Sequence, residues 1–317
     1  MTPAAFEVFA ILLKTRSGLV IGPDKLYLLE TRLAPLLREQ KIADLEALAL
    51  KLKGSGHAVL ADAVVEAMTT NETFFFRDDK PFAHFRSQVL PQLAAQRPPG
   101  AGLRFWSAAA SSGQEAYSLA MIAAESKALL GDRRVEIIGT DIAREPLARA
   151  RAGLYTQFEI QRGVPMPLLV KYFKKEQDGW RIADSLRATA NFREWNLLAD
   201  LRPLGQFDSI FCRNVLIYFD QPTKTRVLEA IAERLAPDGV LYLGGAETIL
   251  GLTDRLVSVP GGVNVYMRAK AATSTSASGA PALGAIASAM KAINRSVAAP
   301  TDSVPVSSLR SGAVGGS

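Results

Sequence analysis

The chain has 317 residues, of which 48% are hydrophobic, and a formal net charge of +6 at neutral pH. A chain of this length can bury one large core or two modest ones. No apolar run approaches the ~18 residues of a membrane-spanning helix, and the first ten residues lack the basic segment of a signal peptide, so we expect a cytoplasmic protein that is not embedded in a membrane. The single cysteine, Cys212, excludes an internal disulfide and a cysteine-rich metal site.

The positions of the charged residues and of the histidines limit the partners and the reactions that this chain can have. From residue 265 onward there are five basic residues and one acid, so most of the positive excess lies at the end of the chain and we expect no nucleic-acid partner. The only histidines are His57 and His84, and neither lies near the candidate ligand-binding turn described below. Hydride shuttles, serine or cysteine nucleophiles and most zinc sites rely on histidine, so we expect neither an imidazole base nor a bound metal.

Residues 1–80 are predicted to form an N-terminal all-helical domain. Apolar periodicity and capping or stop residues indicate four helices, from Thr2 to Gly18, from Pro23 to Pro35, from Asp44 to Gly54 and over 58–70. Proline lacks an amide hydrogen, so Pro35 is expected to kink or end the second helix. The second and third helices carry more bases than acids, which indicates either a solvated face or a docking surface for an acidic helical partner. These bases are Arg32, Arg38, Lys41, Lys51 and Lys53.

The segment Asn71–Arg77, NETFFFR, contains three successive phenylalanines that cannot all face one side of a regular element. We expect them to fill the seam between the helical domain and the following α/β unit. Asn71, Thr73 and Arg77 would then be fixed beside that seam, within reach of a ligand.

The rest of the chain divides into three predicted parts. A linker over 81–102 contains a helix from about 81 to 96 and a boundary at Arg97-Pro-Pro-Gly-Ala-Gly102. An α/β unit covers 103–268. A tail over 269–317 is rich in Ala, Ser, Gly, Thr and Pro, which predicts disorder.

The stretch Leu103–Leu119, LRFWSAAASSGQEAYSL, is typical of a buried strand, a turn of small residues and the start of a helix. No side chain from Ser107 to Gly113 is larger than a hydroxymethyl group, so the backbone there can lie against a ligand. Free N–H groups in the first turn of the helix would face that ligand. Open α/β sheets bind nucleotides at this position, although such a turn also occurs simply to pack a helix on a strand.

A second apolar strand, Val135–Asp141, ends in an acid where a carboxylate can accept both hydroxyls of a ribose. After a helix over 144–152, residues 154–190 are predicted to form a small antiparallel insertion that is exposed and suited to contacting a macromolecule. Its predicted elements are a short helix over 168–175, a hairpin turn at Asp178-Gly179 and a strand over 180–182.

The alternation of strands and helices then resumes. Residues 207–219 contain a very apolar strand interrupted by Arg213 and Asn214, and polar residues at the end of a central strand belong at the ligand crevice. The alternative is that Arg213 extends to solvent and Asn214 only makes a turn. The other predicted elements are a strand over 189–196, a helix over 222–235 that stops at Pro237-Asp-Gly239, and strands over 240–243 and 264–268.

Six segments of the chain resemble, in their order and in their amino-acid sequences, the chemotaxis receptor methyltransferase (CheR) family. They are NETFFFR at 71, WSAAASSGQEAYS at 106, TDI at 140, the FREWNLL stretch ending at Leu198, FCRNVLIYFD at 211 and PDGVLYLGGAE at 237. The resemblance extends from the N-terminus to the last predicted strand and leaves out the tail. It implies an α/β fold with a Rossmann-like S-adenosylmethionine-dependent methyltransferase sheet, beside the all-helical domain and the small antiparallel insertion.

The resemblance also implies a reaction. The cofactor would be S-adenosylmethionine, with S-adenosylhomocysteine as product, and the acceptor a glutamate side chain on the cytoplasmic helices of a methyl-accepting chemotaxis protein. The protein would then be a protein-glutamate O-methyltransferase that acts in adaptation and is recruited to receptor arrays at the inner membrane. The cofactor site would be lined by Asn71, Thr73, Arg77, Glu115, Asp141, Asn196, Leu197, Arg213 and Asn214.

The chemistry of these residues suggests how they would bind the cofactor. Asp141 would accept the ribose hydroxyls, Glu115 the cationic amino group of the methionyl end, and Asn196-Leu197 would contact the edge and face of adenine. Glu115 is alternatively only a favourable acid in the first turn of a helix, worth ~0.3 to 1 kcal/mol.

Catalysis in such a site reduces to alignment and partial desolvation. A glutamate acceptor has a pKa of ~4.3 and is ionised at neutral pH, so it needs no base. As catalytic residues we expect Arg77 or Arg213 to offset the charge of the incoming carboxylate, and Tyr218 to face the methyl group.

Two features depart from the best-known members of the family. The sequence Gly-His-Ser-Glu, which is common in the family, is replaced here by Gly244-Gly-Ala-Glu247. This chain therefore has no histidine to perform any role that the family's histidine has. The turn KKEQDG, between Phe173 and Trp180, looks shorter than in members whose insertion binds the C-terminal pentapeptide of a receptor. We therefore expect an enzyme that does not depend on such a tether.

Two other functions remain open. One is a methyltransferase of the same fold with another acceptor, and the other is a catalytically idle scaffold that senses S-adenosylmethionine through the same pocket. A nicotinamide dehydrogenase is disfavoured by the single glycine in the turn and the lack of a histidine for proton transfer.

Overall fold

The N-terminal part of the chain is all-helical, as predicted. The structure is a computed structural model and describes residues 1–269. Thr2 caps the first helix, and Gly18 ends it in the left-handed conformation with a φ of 79°. Asp44 caps the third helix by accepting the N–H of Ala47. The helices are α1 (Pro3–Ser17), α2 (Leu26–Glu39), α3 (Leu45–Lys53) and α4 (Ala58–Met68).

Helix α2 does not end at Pro35, one of the two outcomes expected there, but continues to Glu39. Leu29, Leu33 and Leu36 lie on its inner face and are buried. A proline inside a helix costs about 3 kcal/mol, whereas burying one leucine side chain contributes about 1.5–3 kcal/mol. Burying the three leucines therefore stabilises the helix by more than the proline destabilises it.

The linker is an almost continuous helix that is anchored to the sheet at its end. It consists of α5 (Lys80–His84), a π-helical segment (Phe85–Val89) and α6 (Leu90–Gln96). Arg97 then donates hydrogen bonds to Asp208 and Asp238, which lie on two neighbouring strands, at 2.6–2.9 Å. Because Asp208 is buried, this pairing fixes the linker against the sheet. The domain boundaries at residues 80 and 102 stay predictions.

Seven strands form the mostly parallel sheet predicted for this fold. They are β1 (Leu103–Ala108), β2 (Val135–Asp141), β6 (Ala190–Glu194), β7 (Phe207–Cys212), β8 (Leu235–Leu243), β9 (Leu256–Ser258) and β10 (Val265–Arg268). Their order is β6-β2-β1-β7-β8-β10-β9, and β10 pairs antiparallel with β8 and β9. The helices of this unit are α7 (Gln114–Glu125), α8 (Lys127–Leu130), α9 (Arg144–Ala152) and α13 (Gln221–Arg234).

The central strands end level with one another. Ala108 of β1 lies opposite Thr140 of β2 and Cys212 of β7. The residues that follow these strands therefore emerge together at the carboxyl edge of the sheet, which is where parallel sheets bind ligands.

The sheet is covered on both faces. Phe211 and Tyr242 belong to the core on one face, where their rings stack with centroids 4.3 Å apart. Trp106 belongs to the core on the other face and stacks on Phe207 at 5.3 Å. Burial on both faces explains why these strands are almost continuously apolar in the sequence.

The insertion is a small antiparallel sheet, as predicted, with two differences in detail. The predicted helix ends at Tyr172 instead of continuing to residue 175, because Phe173 is buried and the following residues pair with the next strand. Glu176 pairs with Gly179, so the hairpin turn lies one residue earlier than predicted. In the order β3-β5-β4, the sheet contains β3 (Leu154–Tyr155), β4 (Phe173–Glu176) and β5 (Gly179–Ile182). Its helices are α10 (Gln157–Gln161), α11 (Met166–Tyr172) and α12 (Asp184–Arg187).

Strand β8 begins earlier than predicted. It pairs with β7 at Leu235 and regains regular pairing at Val240. The sequence Pro237-Asp-Gly239, predicted as a stop after the helix, lies between these positions as an irregularity within the strand. The pairing holds because Leu235 is completely buried and Asp238 is bound by Arg97.

The part of the chain that the structure describes contains no helix that is long and apolar enough to cross a membrane. The disorder predicted for 269–317 concerns residues that, apart from Ala269, lie outside the described part.

Replacing Arg97 by alanine should destabilise the protein by about 2–4 kcal/mol, because Asp208 and Asp238 lose their cation in a partly buried place. Urea unfolding measures the difference. Arg86→Ala is the matched control, since Arg86 is exposed on the same linker. A loss no larger than that of the control would mean that Arg97 does not anchor the linker.

Candidate functional site

The carboxyl ends of β1, β2, β6 and β7 surround a cavity with an empty volume of about 940 Å³, counted out to bulk solvent. Every residue predicted to line the cofactor site lines this cavity, together with the predicted catalytic Tyr218. They are Asn71, Thr73, Arg77, Glu115, Asp141, Asn196, Leu197, Arg213 and Asn214. The sequence thus identified side chains that meet in one place, and their binding roles stay predictions.

The turn after β1 brings the backbone to the cavity. Ala109 and Ser111 adopt left-handed φ values of 64° and 48°, and Gly113 one of 91°. Helix α7 begins directly after Gly113, where a Cβ atom would lie 2.8 Å from the Cβ of Ala150. Glycine is therefore required at this one position, while Ala109 and Ser111 supply the other left-handed residues of the turn.

Glu115, at the second position of α7, is buried. Its carboxylate accepts hydrogen bonds from the hydroxyl of Ser107 at 2.8 Å and from Arg213 at 3.0 Å. Burial raises the pKa of this carboxyl, while the Arg213 guanidinium and the Ser107 hydroxyl oppose that shift. Glu115 therefore belongs to the site and is more than a favourable acid at the start of a helix.

Arg213 joins three parts of the site. Besides Glu115, its guanidinium binds the backbone oxygen of Arg77 at 2.8 Å and the carboxylate of Asp78 at 2.7 Å. The side chain is only 1% exposed, so the alternative in which it extends to solvent is wrong. Its guanidinium already binds two carboxylates, and the expectation that Arg213 offsets the charge of an incoming acceptor stays a prediction.

Asp141 ends β2 at the cavity. One of its oxygens accepts the N–H of Ser111 at 2.8 Å, and the other accepts the N–H of Ala143 at 2.9 Å. Burial raises the pKa of this carboxyl, and these N–H groups lower it. A carboxylate offers about four lone-pair sites, so both oxygens can accept a further hydroxyl donor.

Segment 71–77 forms one wall of the cavity, but its central phenylalanine packs elsewhere than predicted. Phe75 is completely buried against Tyr155 and Phe173 of the insertion, with ring centroids 4.9 and 5.5 Å away. The backbone lies so close to the insertion that a Cβ atom on Gly163 would come within 2.0 Å of the Phe75 oxygen. Phe75 therefore seals the sheet against its own insertion and not against the helical domain.

Arg77 differs from Arg213 in having no acidic partner. Its guanidinium lies 5.4 Å from the ring centroid of Phe74 and donates to the backbone oxygen of Glu72 at 2.9 Å. Among residues 1–269 it forms no ion pair, and it is only half-buried beside the cavity. Its charge is therefore available to an anion that enters.

The side chain of Asn196 has partners that the sequence did not indicate. Its amide nitrogen donates to the backbone oxygen of Arg16 at 2.5 Å, and its oxygen accepts the N–H of Leu198 at 2.9 Å. Asn196 thus ties the helical domain to the end of β6. The adenine contact expected of Asn196-Leu197 stays a prediction.

The helical domain contributes cavity residues that sequence analysis missed, namely Ser17, Leu19, Thr69 and Thr70. Leu19 pairs with Phe219 in an isolated β-bridge. Arg32 of α2 donates to the backbone oxygens of Met68 and Thr69 and thereby fixes the chain that enters the cavity wall. Such contacts between distant segments leave no local pattern in the sequence.

This role removes Arg32 from the basic face predicted on the second and third helices. The other four members are exposed, so both interpretations of that face stay open for them: Arg38, Lys41, Lys51 and Lys53.

Two family models match the chain. The model described as CheR methyltransferase, all-alpha domain matches residues 4–69, and the one described as CheR methyltransferase, SAM binding domain matches residues 71–264. The chain belongs to the CheR methyltransferase family. It is thus an S-adenosylmethionine-dependent methyltransferase with the fold that the sequence predicted. Among the described residues, no three His, Cys, Asp or Glu side chains are grouped so as to hold a metal ion.

Several relatives in the CheR family are similar over almost their whole length. Chemotaxis protein methyltransferase Cher2 of Pseudomonas putida is 38% identical, and chemotaxis protein methyltransferase 1 of Pseudomonas aeruginosa is 40% identical; each match covers 84% of this chain and 98% of the relative. The chemotaxis protein methyltransferase of Vibrio parahaemolyticus is 40% identical over 80% of this chain and 92% of its own.

Replacing Arg213 by methionine should destabilise the protein by about 3–5 kcal/mol, because Glu115 is left as an unpaired buried charge. Adding Glu115→Gln should recover part of this loss. Urea unfolding of both variants gives the values, with Arg193→Met as the control for losing a half-buried arginine. If the double variant is no more stable than the single one, the two side chains are not coupled.

Proposed function

We propose that this protein transfers the methyl group of S-adenosylmethionine to glutamate side chains of chemoreceptors and forms glutamate methyl esters. The observation that carries the proposal is the cavity at the carboxyl edge of the sheet, where Asp141 and Glu115 present buried carboxylates in a chain of the CheR family. The names of its relatives support the chemotaxis role.

The donors and acceptors of the cavity fit this cofactor. Asp141 has free lone pairs for the two ribose hydroxyls. Glu115 supplies negative charge for the amino group of the methionyl end, and Leu197 an apolar surface for adenine. When bound, the cofactor supplies a methyl group on a positively charged sulfur.

The remaining requirement is to bring a carboxylate to that methyl group. The acceptor is ionised at neutral pH, so no base is needed, and neither histidine lines the cavity. The unpaired charge of Arg77 offsets the cost of taking the acceptor out of water. Tyr218 lines the same cavity and would face the reacting atoms.

We further propose that the protein works in the cytoplasm at receptor arrays, without a pentapeptide tether. The two strands β4 and β5 are joined by a tight hairpin in which Glu176 pairs with Gly179. The loop between these strands is therefore short, and it offers few residues that could contact a bound peptide strand.

Labelled methyl transfer tests the proposed reaction. The protein is incubated with S-adenosylmethionine carrying a radioactive methyl group and with membranes that contain chemoreceptors. We expect label on the receptor that alkali releases as methanol, and no such label on a receptor whose methylated glutamates are replaced by alanine. Label on small carboxylic acids alone would indicate another acceptor. Cofactor binding in calorimetry without any transfer would indicate the idle scaffold.

Arg77→Ala should lower kcat by about 10- to 100-fold, because the acceptor carboxylate loses a compensating charge. Arg77→Lys should retain part of the activity. Arg86→Ala, which removes an exposed arginine from the linker helix, is the matched control. Unchanged cofactor affinity and unchanged turnover in Arg77→Ala would contradict this role.

The tether proposal predicts equal methylation of a receptor with and without a C-terminal pentapeptide. Titrating the protein with the free peptide in a calorimeter should give no measurable binding. Micromolar affinity for the peptide would contradict the proposal.

A further inference from the structure

The turn after β8 contains a buried carboxylate that does not line the cavity. Glu247 is 5% exposed, and its two oxygens accept four main-chain N–H groups. Three of these donors are consecutive residues, Asn214, Val215 and Leu216, at 2.7–2.9 Å. The fourth is Gly244 at 2.6 Å. One side chain therefore fixes the chain after β7 to the chain after β8.

The segment that Glu247 holds is a wall of the cavity. Five residues of segment 213–219 line the cavity, and Asn214 has a left-handed φ of 59° there. Tyr218 ends a 3-10 turn in this segment, and its backbone oxygen accepts the N–H of Val20 from the helical domain at 2.9 Å. The position of the wall thus depends on Glu247 on one side and on the helical domain on the other.

The two glycines before Glu247 differ sharply in the room around them. A Cβ atom on Gly244 would lie 2.8 Å from the backbone nitrogen of Asn214 and 2.8 Å from the carboxylate of Glu247. A Cβ atom on Gly245 would meet nothing within 4 Å. The contact between Glu247 and the wall is therefore closely packed, and the chain offers a matched pair of substitutions next to it.

We propose that Glu247 is a positioning residue for methyl transfer, because it holds the chain that runs from Asn214, which is predicted to line the cofactor site, to Tyr218, which would face the acceptor. This inference rests on the proposed function. Asp141 and Glu115, the carboxylates that would hold the ribose and the amino group, stand on β2 and α7. A displaced wall at 214–219 should therefore cost the cofactor only the contact of Asn214, and should slow transfer more than it weakens cofactor binding. A carboxylate suits this place because it only accepts hydrogen bonds, whereas a glutamine would turn its own NH₂ group toward N–H donors.

Glu247→Gln in the full-length protein tests the proposal, with receptor membranes as substrate. We expect kcat to fall by about 100-fold, the loss typical of a reacting group displaced by about 1 Å. The Kd for S-adenosylhomocysteine, measured by calorimetry, should rise by less than about fivefold. Gly244→Ala keeps the carboxylate but pushes it away from Asn214. This variant should likewise lower kcat by a much larger factor than it raises the Kd.

Two controls should stay within about twofold of the wild type in both quantities, since surface changes are usually small. Gly245→Ala places a methyl group in open space in the same turn. Glu233→Gln makes the same chemical change at an exposed ion pair with Arg255.

Circular dichroism at the assay temperature establishes that each variant is folded. If Glu247→Gln does not fold, Glu247→Asp takes its place, with the same separation expected at a smaller loss. A folded variant with kcat within about threefold of the wild type, or with kcat and affinity reduced by equal factors, overturns the positioning role. Wild-type protein that transfers no methyl group to receptors overturns the proposed function itself, and the positioning role with it.

Discussion

The site depends on the buried ion pair between Glu115 and Arg213. Through it, the first turn of α7, the end of β7 and the chain at Asp78 meet at one guanidinium. Removing two charges from water is costly, and further hydrogen bonds to the two groups offset part of that cost. Here Ser107 donates to Glu115 and the backbone oxygen of Arg77 accepts from Arg213, while the buried Nε of Arg213 has no partner among the described residues. We infer that the main effect of the pair is to fix the position of segment 71–77 relative to the sheet, and that its net contribution to the free energy of unfolding is smaller.

A site that only fixes positions is sufficient for the proposed methyl transfer. An ionised acceptor needs no base, so the protein has only to hold two reactants in line and keep water away. The two carboxylates proposed to hold the cofactor stand on regular elements, since Asp141 ends a central strand and Glu115 lies in the first turn of a helix. The wall that carries Tyr218 is a loop, and Glu247 accepts three consecutive N–H groups of its backbone.

The sequence predicted what is encoded locally and missed what depends on distant packing. The strand, small-residue turn and helix around Gly113, and the acid that ends the next strand, follow from short patterns and were predicted correctly. The chain continues as a helix through Pro35 because buried leucines outweigh a local preference. The partners of Phe75 and the contact of Arg32 with the chain after α4 join segments far apart in sequence. No local pattern could have assigned them.

The central claim is that the cavity beside Gly113 and Asp141 binds the methyl donor. A crystal structure of the protein with S-adenosylhomocysteine tests it most directly. We expect density for the ligand in this cavity, with the ribose hydroxyls at the Asp141 carboxylate and the amino group of the methionyl end near Glu115. An empty cavity at saturating ligand, or ligand bound elsewhere, would contradict it.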